Sequence, residues 1–228
     1  AVVSWFTTYG IEYFKALQDK FMRNGIEVDA EIRADFPLPP TVQHLIADHP
    51  HIPEMIKKCE DLDTEHAGDS GFEPLPPSGP LVEKWIKHSL DGKGAVGGVG
   101  KAVTILDTSA RNANAWNFDY CSRERMRSSN EEGNIARFVV EEKSRHDNII
   151  ATIKKMPVLL YPREYVVRQL CAYDEETGEF RYYSQSVNIV LDSGINTKTV
   201  RAKAIVYIRF APLSETQCKM TVFTHVEP

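Results

Sequence analysis

The chain has 228 residues, of which 42% are hydrophobic and 26% are charged, and its net charge at pH 7 is −5. This length fits one domain with an extension, and the composition is that of an ordinary globular protein. Lysines and arginines are interspersed with acidic residues, so no basic face for nucleic acid is expected, and the apolar runs are too short to span a membrane.

The chain begins with Ala1 and shows no charged segment followed by an apolar run, so we expect a piece of a longer protein without a secretion signal. The four cysteines, Cys59, Cys121, Cys171 and Cys218, are too far apart to form a CxxC metal or redox motif. They are predicted to be free buried thiols in a reducing compartment, which indicates a cytoplasmic location.

Residues 1–26 are predicted to form an amphipathic helix that ends at the stop pair Asn24-Gly25. Its apolar side chains recur at spacings of three and four, and they form one wide aromatic stripe that must be buried against something. The members of the stripe are Val2, Val3, Phe6, Tyr9, Tyr13, Phe14, Leu17 and Phe21.

Residues 27–80 are predicted to form a proline-rich linker with short helices around residues 41–48 and 53–61. The acidic run 60–65 lacks the glycine and the final glutamate of a calcium loop, so we interpret it as a solvated linker segment. The histidines of this region show no metal-ligand spacing. We expect no bound metal ion and no cofactor.

Residues 81–88 are predicted to form a short amphipathic helix, and the glycine-rich segment 92–101 comes after it. This segment matches the dinucleotide-binding pattern GxGxxG. That motif must follow a strand and open a helix, whereas here a helix is predicted before it and a strand, 101–107, after it. The segment is therefore interpreted as a flexible turn into a strand.

Ser109 is predicted to cap a helix that runs from Ala110 to about Arg127. From residue 135 onward the pattern is that of six strands in hairpin succession, which form an antiparallel meander. These strands are predicted over residues 136–144, 146–156, 165–173, 179–190, 200–210 and 217–226.

A strongly curved antiparallel sheet cannot bury its concave face alone, so a helix, a ligand or both must fill it. On the strand that begins at Tyr165, alternation places Arg168 on one face, and an unpaired arginine is costly to bury. The opposite face is therefore predicted to line a ligand cavity. The predicted ligand-binding residues are Tyr165, Val167, Gln169, Cys171, Ala204, Val206, Ile208, Met220 and Val222.

Several segments resemble the START domain, the lipid-transfer family related to the steroidogenic acute regulatory proteins. The strongest is PREYV at residues 162–166, a proline-bounded corner that leads from one predicted strand into the next. The strand-then-helix segment 100–126, the VRA at 200–202 and the final HVEP at 225–228 also resemble that family. The resemblance covers roughly residues 81–228.

The resemblance implies an α+β helix-grip fold, in which a curved antiparallel sheet and packed helices surround a lipid-sized cavity. It implies non-catalytic binding and transfer of one lipid or sterol, with transient contact to a membrane surface. Some sterol-binding relatives carry an arginine where Gln169 stands here. The amide of Gln169 could bind a hydroxyl or ester carbonyl but could not pair with a carboxylate, which argues against a sterol.

The segment 1–26 resembles the closing helix of a START domain, whereas the START-like domain 81–228 ends without one. Either that helix is missing, or the segment 1–26 fills the groove, or it belongs to a preceding unit of a multi-START protein. The connection 191–199 corresponds to the loop at the cavity mouth, or is a wide hairpin loop without function.

Two other functions compete with lipid transfer. One is a lipid-sensing or protein-interaction module without transfer activity. The other is an enzyme on the same fold, which requires an acid and a base that converge in the cavity. His146 and His225 lie at strand ends, and no carboxylate accompanies either at a readable spacing, so we expect no enzymatic activity.

Overall fold

The structure is a computed structural model that describes residues 37–48, 52–65, 71–76, 82–90, 96–131, 134–157, 160–191 and 198–227. The helix predicted for residues 1–26 and most of the connection 191–199 lie outside these described residues. The described chain has an α+β fold, in which one large sheet carries helices on both faces.

The described helices are four in number, and two of them lie in the predicted linker. Their bounds are α1 Val42–Asp48, α2 Ile52–Glu65, α3 Ala110–Phe118 and α4 Arg123–Glu131. The two short helices predicted around residues 41–48 and 53–61 are thereby confirmed, and the second is longer than expected. The acidic run 60–65 lies within α2, so its interpretation as a solvated linker segment is wrong.

The sheet contains ten strands in the order β1-β2-β3-β10-β9-β7-β6-β5-β4, with the short strand β8 paired in parallel to β6. The strands are β1 Glu73–Pro74, β2 Val82–Leu90, β3 Val96–Leu106, β4 Ala136–Ser144, β5 Asp147–Lys154, β6 Arg163–Tyr173, β7 Phe180–Ser186, β8 Val200–Arg201, β9 Lys203–Pro212 and β10 Cys218–Glu227. The predicted meander is confirmed as β4-β5-β6-β7-β9-β10.

The proline-bounded corner lies between β5 and β6, as predicted. These strands pair in antiparallel register from Asp147 opposite Leu170 to Lys154 opposite Arg163. Strands β6 and β7 then form the expected hairpin, whose turn is completed by Gly178 at a φ of 72°. Glycine suits this position because it adopts positive φ without a steric penalty.

The helix predicted for residues 81–88 is wrong, because this segment belongs to strand β2. Val82, Lys84 and Ile86 are all buried, which is the period of two expected for a strand. Strand β2 pairs with β3 along its whole length, from Val82 opposite Thr104 to Leu90 opposite Val96. The short apolar run is compatible with the period of a helix and with that of a strand, and the hydrogen-bonded pairing with β3 makes it a strand.

The second part of the glycine-rich segment, residues 96–101, lies in strand β3, which begins five residues earlier than the strand predicted over 101–107 and pairs with β2. The expectation that a helix precedes it is wrong. The pattern GxGxxG still lacks the helix that has to come after it in a dinucleotide site, because β3 begins at Val96.

The helix predicted to run from Ala110 to about Arg127 is divided into α3 and α4. Ser109 does cap α3, since its hydroxyl oxygen accepts a hydrogen bond from the amide of Asn112 at 3.2 Å. The helix ends at Phe118, and the guanidinium of Arg125 donates to the carbonyls of Trp116 and Asn117 at 2.9 and 2.7 Å. These carbonyls would have bonded to the amides of a continuing helix, so Arg125 stabilises the break.

Helix α2 is held on the sheet by apolar packing and by an ion network that uses the acidic run. The hydroxyl of Tyr183 donates to Glu60 at 2.9 Å, and Arg181 donates to the same carboxylate oxygen at 3.2 Å. Asp63 accepts from Arg209 at 2.7 Å, and Arg209 also donates twice to Glu179, at 2.6 and 3.0 Å. The acids of α2 therefore bind basic residues of β7 and β9.

We predict that Glu60→Ala destabilises the domain by about 1–3 kcal/mol, because it leaves the hydroxyl of the fully buried Tyr183 without its acceptor. Urea denaturation measures the change. The matched control is Asp61→Ala, which removes the same charge from the same helix. Among the described residues Asp61 pairs with the exposed Lys57, so this variant is expected to lose about 0.5 kcal/mol or less. Equal losses in the two variants would contradict the network.

Candidate functional site

The sheet surface covered by α3, called here the α3 face, contains all nine predicted ligand-binding residues. Four of them form one apolar cluster with Ala110, Ala113 and Phe118 of the α3 helix, and these four are Cys171, Ile208, Met220 and Val222. Val206 packs against this cluster. The residues that were predicted to share one face of each strand therefore do share it. That they contact a ligand stays a prediction.

A second apolar cluster continues the α3 face toward the beginning of β6. Tyr165 and Val167 lie in it, and Ala204 packs against its edge. The cluster also contacts Tyr120 and Cys121, which belong to the turn between α3 and α4. The α3 helix and this turn therefore cover neighbouring parts of the same face.

Gln169 joins β6 to the end of the α3 helix. Its side chain is 0% exposed, its amide nitrogen donates to the carbonyl of Phe118 at 2.8 Å, and its amide oxygen accepts from the hydroxyl of Tyr182 at 3.0 Å. These bonds position the helix on the sheet. The role of the same amide in orienting a ligand stays a prediction.

Arg168 points away from the α3 face, as expected from the cost of burying it unpaired. Its guanidinium donates two hydrogen bonds to the carboxylate of Asp147, at 2.8 and 2.5 Å. Asp147 is only 2% exposed, so a buried acid on β5 compensates the charge.

The side chains of the α3 face differ in burial across the sheet. Beneath the α3 helix they are large and buried, as at Phe180, Phe210 and Met220. Toward the second cluster, Ala204 and Val206 are only partly buried. Among the described residues, a Cβ added at Gly100 would meet the carbonyl oxygen of Thr224 at 3.9 Å, an ordinary contact distance. The α3 face is therefore partly open around Ala204 and Val206.

An open groove of about 580 Å³ lies along α4 and is lined mainly by polar and charged residues, namely Cys121, Arg123, Met126, Arg127, Asn130 and Glu131. The groove adjoins the α3 face at Cys121, which also packs against the cluster that contains Tyr165 and Val167. The neighbouring Tyr120 ring lies between two guanidinium groups, those of Arg125 at 4.7 Å and Arg137 at 3.8 Å from the ring centroid.

The α3 face also carries polar groups that the sequence did not reveal as a set. The side chain of Asn114 on the α3 helix is 0% exposed, and its amide lies beside the thiol of Cys171 without a closer polar partner in the described part of the chain. The ammonium of Lys84 on β2 is also buried, and it has no hydrogen-bond partner among the described residues. Sequence analysis placed Lys84 in a helix, so its position on the sheet could not be recognised.

Cys171 and His146 are the one described pair on this face that resembles a catalytic arrangement, with Sγ and Nδ1 3.4 Å apart. Burial raises the pKa of Cys171 far above its ordinary value, although the neighbouring amide of Asn114 opposes this shift. Burial and the charge of Arg145 lower the pKa of His146. Both groups are therefore neutral at neutral pH, and the pair is not a thiolate–imidazolium nucleophile.

Over the described ranges, no cluster of three or more histidine, cysteine, aspartate or glutamate residues could hold a metal ion. Among the helices that the structure describes, none is long and apolar enough to cross a membrane.

Solved structures of START domains share this fold. Human StAR-related lipid transfer protein 5 superimposes with a TM-score of 0.56 and 15% identity, over 77% of this chain and 83% of that one. The lipid transfer and protein localization domain of human StarD13 superimposes with a TM-score of 0.52 and 16% identity, over 78% of this chain and 82% of that one. The STAR-related lipid transfer protein from Xanthomonas axonopodis superimposes with a TM-score of 0.54 and 12% identity, over 70% of this chain and 83% of that one.

No protein-family model matches the sequence, and no curated protein matches it. At these identities the structural likeness shows the fold alone. It confirms that the chain has the START-like helix-grip fold that the corner motif and the strand pattern predicted.

We predict that Cys121 is the thiol that reacts first in the native protein. All four cysteines are free, but Cys59, Cys171 and Cys218 are buried, whereas Cys121 is half-buried and lines the open groove along α4. Burial raises the pKa of Cys59 to about 12 and that of Cys218 to about 12, which suppresses their thiolates. Burial also raises the pKa of Cys121, but the charges of Arg137 and Arg125 oppose this shift.

Iodoacetamide labelling with peptide mass spectrometry measures this order. Cys121→Ser should remove the fast phase of labelling and leave the slow phase unchanged. Labelling of Cys171 at the rate of Cys121 in the folded protein would contradict the burial of the α3 face.

Proposed function

We propose that this domain binds one lipid-class ligand on the α3 face, without catalysing a reaction on it. The observation that carries this proposal is the apolar α3 face, which holds the predicted ligand-binding residues and is partly open around Ala204 and Val206. The open groove along α4 adjoins this face at Cys121.

The lining of the face supports an apolar ligand. Val167, Ala204 and Val206 present aliphatic surface beside the partly open region, and Gly100 adds no side chain to it. An aliphatic ligand in this space would replace water on those side chains, at a gain of about 25 cal/mol per Å² of buried apolar surface. The structural neighbours are themselves named lipid transfer proteins, which favours the same ligand class.

The chemistry of the face favours carriage over catalysis. The Cys171–His146 pair is neutral, and the hydrogen bonds of Gln169 are made within the protein. A carrier of this kind would collect and deliver its ligand through transient contact with a membrane surface. The proposed location is the cytoplasm, where four free thiols persist.

Lipid sensing without transfer shares the same binding step. A carrier releases its ligand to a second membrane, whereas a sensor retains it, so transfer between two vesicle populations distinguishes the two functions. A domain that binds but does not exchange its ligand would be a sensor.

The variant that tests binding is Val206→Trp, which places an indole in the partly open region between Ser184 and Thr224 of the neighbouring strands. We expect lipid uptake from vesicles, measured by native mass spectrometry, to fall about tenfold or more because the added ring occupies the ligand volume. The matched control is Val103→Trp, a half-buried valine on β3 that lies on the opposite face.

The control should bind lipid as the unmodified domain does, and thermal unfolding shows whether each variant remains folded. Overpacking costs about 1–3 kcal/mol wherever it occurs. Both variants introduce the same tryptophan, so a difference in lipid uptake between them reports which face of the sheet binds the lipid. Undiminished uptake by Val206→Trp would overturn the proposed site.

A further inference from the structure

Lys84 lies in the second strand from one edge of the sheet, and its side chain is on the α3 face. It is directly opposite Ala102 on β3, which belongs to the apolar cluster under the α3 helix. Its neighbours along β2 on the same face are Val82 and Ile86, both buried. The side chains that flank Lys84 along β2 and directly across from it on β3 are thus apolar.

The ammonium of Lys84 is buried without compensation. The residue is 6% exposed, and its Nζ has no hydrogen-bond partner among the residues that the structure describes. Burial lowers the pKa of Lys84, and no opposing contribution acts on it. A lysine is rarely buried this far unless it is paired, because an ammonium loses several kcal/mol of hydration when it leaves water.

The acids on the neighbouring strands do not supply the missing charge. On β3 and β10, the α3-face positions across from Lys84 and on either side of it carry no acid; they are Gly100, Ala102, Thr104, Met220, Val222 and Thr224. On β1, Glu73 lies opposite Ile86, but it is exposed and does not bond to the ammonium of Lys84 in the described structure.

The neighbours of Lys84 on this face are small. Ala102 lies directly opposite Lys84, and Gly100, diagonally beside it, carries no side chain. Neither residue supplies a polar side chain that could bind the ammonium.

We infer that Lys84 anchors the anionic end, a carboxylate or a phosphate, of the apolar ligand on the α3 face. This inference rests on the proposed function and names the ligand class that the site takes. A negatively charged oxygen beside Nζ would form charge-assisted hydrogen bonds in a medium of low dielectric constant, where such bonds are strong. The lowered pKa of the unligated lysine then returns toward its ordinary value when the anion binds.

The test compares three probes of equal chain length in equilibrium dialysis: oleic acid, 1-oleoyl lysophosphatidic acid and the neutral oleyl alcohol. The unmodified domain should bind at least one of the two anions more tightly than the alcohol. Lys84→Met keeps the aliphatic stem and removes the charge. It should weaken anion binding about tenfold or more and leave alcohol binding within about twofold.

Two controls separate the charge of Lys84 from general effects. Lys87→Met removes the same charge from the same strand on the opposite face, where Lys87 is paired with Val99 of β3. Glu73→Gln removes the nearest acid on β1. Both variants should retain the preference for the anion. Lys84→Met should also be at least as stable as the unmodified domain without ligand, because it removes an unpaired buried charge.

The two anions distinguish the sources of the charged group. Binding of oleate alone identifies a carboxylate, and binding of the lysophosphatidate alone or of both identifies a phosphate-compatible site; each supports the inference. Undiminished anion binding by Lys84→Met overturns it. So does a parallel loss of stability in Lys84→Met and Glu73→Gln, which would make Lys84 one half of a structural ion pair.

Failure of the inference differs from failure of the proposed function. If oleyl alcohol binds, Val206→Trp blocks it and Lys84→Met changes nothing, the α3 face binds a neutral ligand and only the anchor is wrong. If none of the three probes binds the unmodified domain, the proposed function is wrong and the inference falls with it.

Discussion

The need to cover both faces of a ten-stranded sheet is the constraint on which the rest of this structure depends. Successive side chains of a strand point to opposite faces, so each central strand presents two surfaces that have to be removed from water. Helices α1 and α2 cover one surface, and the α3 helix with the turn after it covers the other. The two surfaces are built differently, and that difference indicates where the function lies.

The surface under α2 is filled and electrically balanced. Tyr183 and Tyr207 stack at 5.3 Å beneath the helix, and the acids of α2 pair with arginines of the sheet. Arg168 and Asp147 form a matched pair on this side as well. Paired charges and large aromatic side chains make a surface suited to stability.

The α3 face is covered less evenly. Large buried side chains lie beneath the α3 helix, Ala204 and Val206 beyond it are partly buried, and Lys84 keeps its ammonium without a described partner. Buried polar groups are normally hydrogen-bonded, so an unsatisfied one marks a site that a water molecule, an ion or a ligand can complete.

Local sequence pattern was enough to predict many of the elements and the faces of the strands. The hairpins, the proline-bounded corner and the α3 cap at Ser109 were predictable, since turn residues and capping side chains act within a few positions. The nine residues of the predicted site share the α3 face because the side-chain period of a strand is two, whatever the strand packs against. The START-like fold was predictable from these same signals.

Tertiary contacts decided the features that depend on partners distant in sequence. Residues 82–90 became a strand because β3 was available to pair with them, and Arg125 divided a predicted helix by bonding to its carbonyls. Gln169 meets Phe118 across 51 positions, and Tyr183 meets Glu60 across 123. The burial of Lys84 without a described partner also depends on tertiary structure. The sequence shows that a lysine is present, but it does not show which side chains lie near its ammonium.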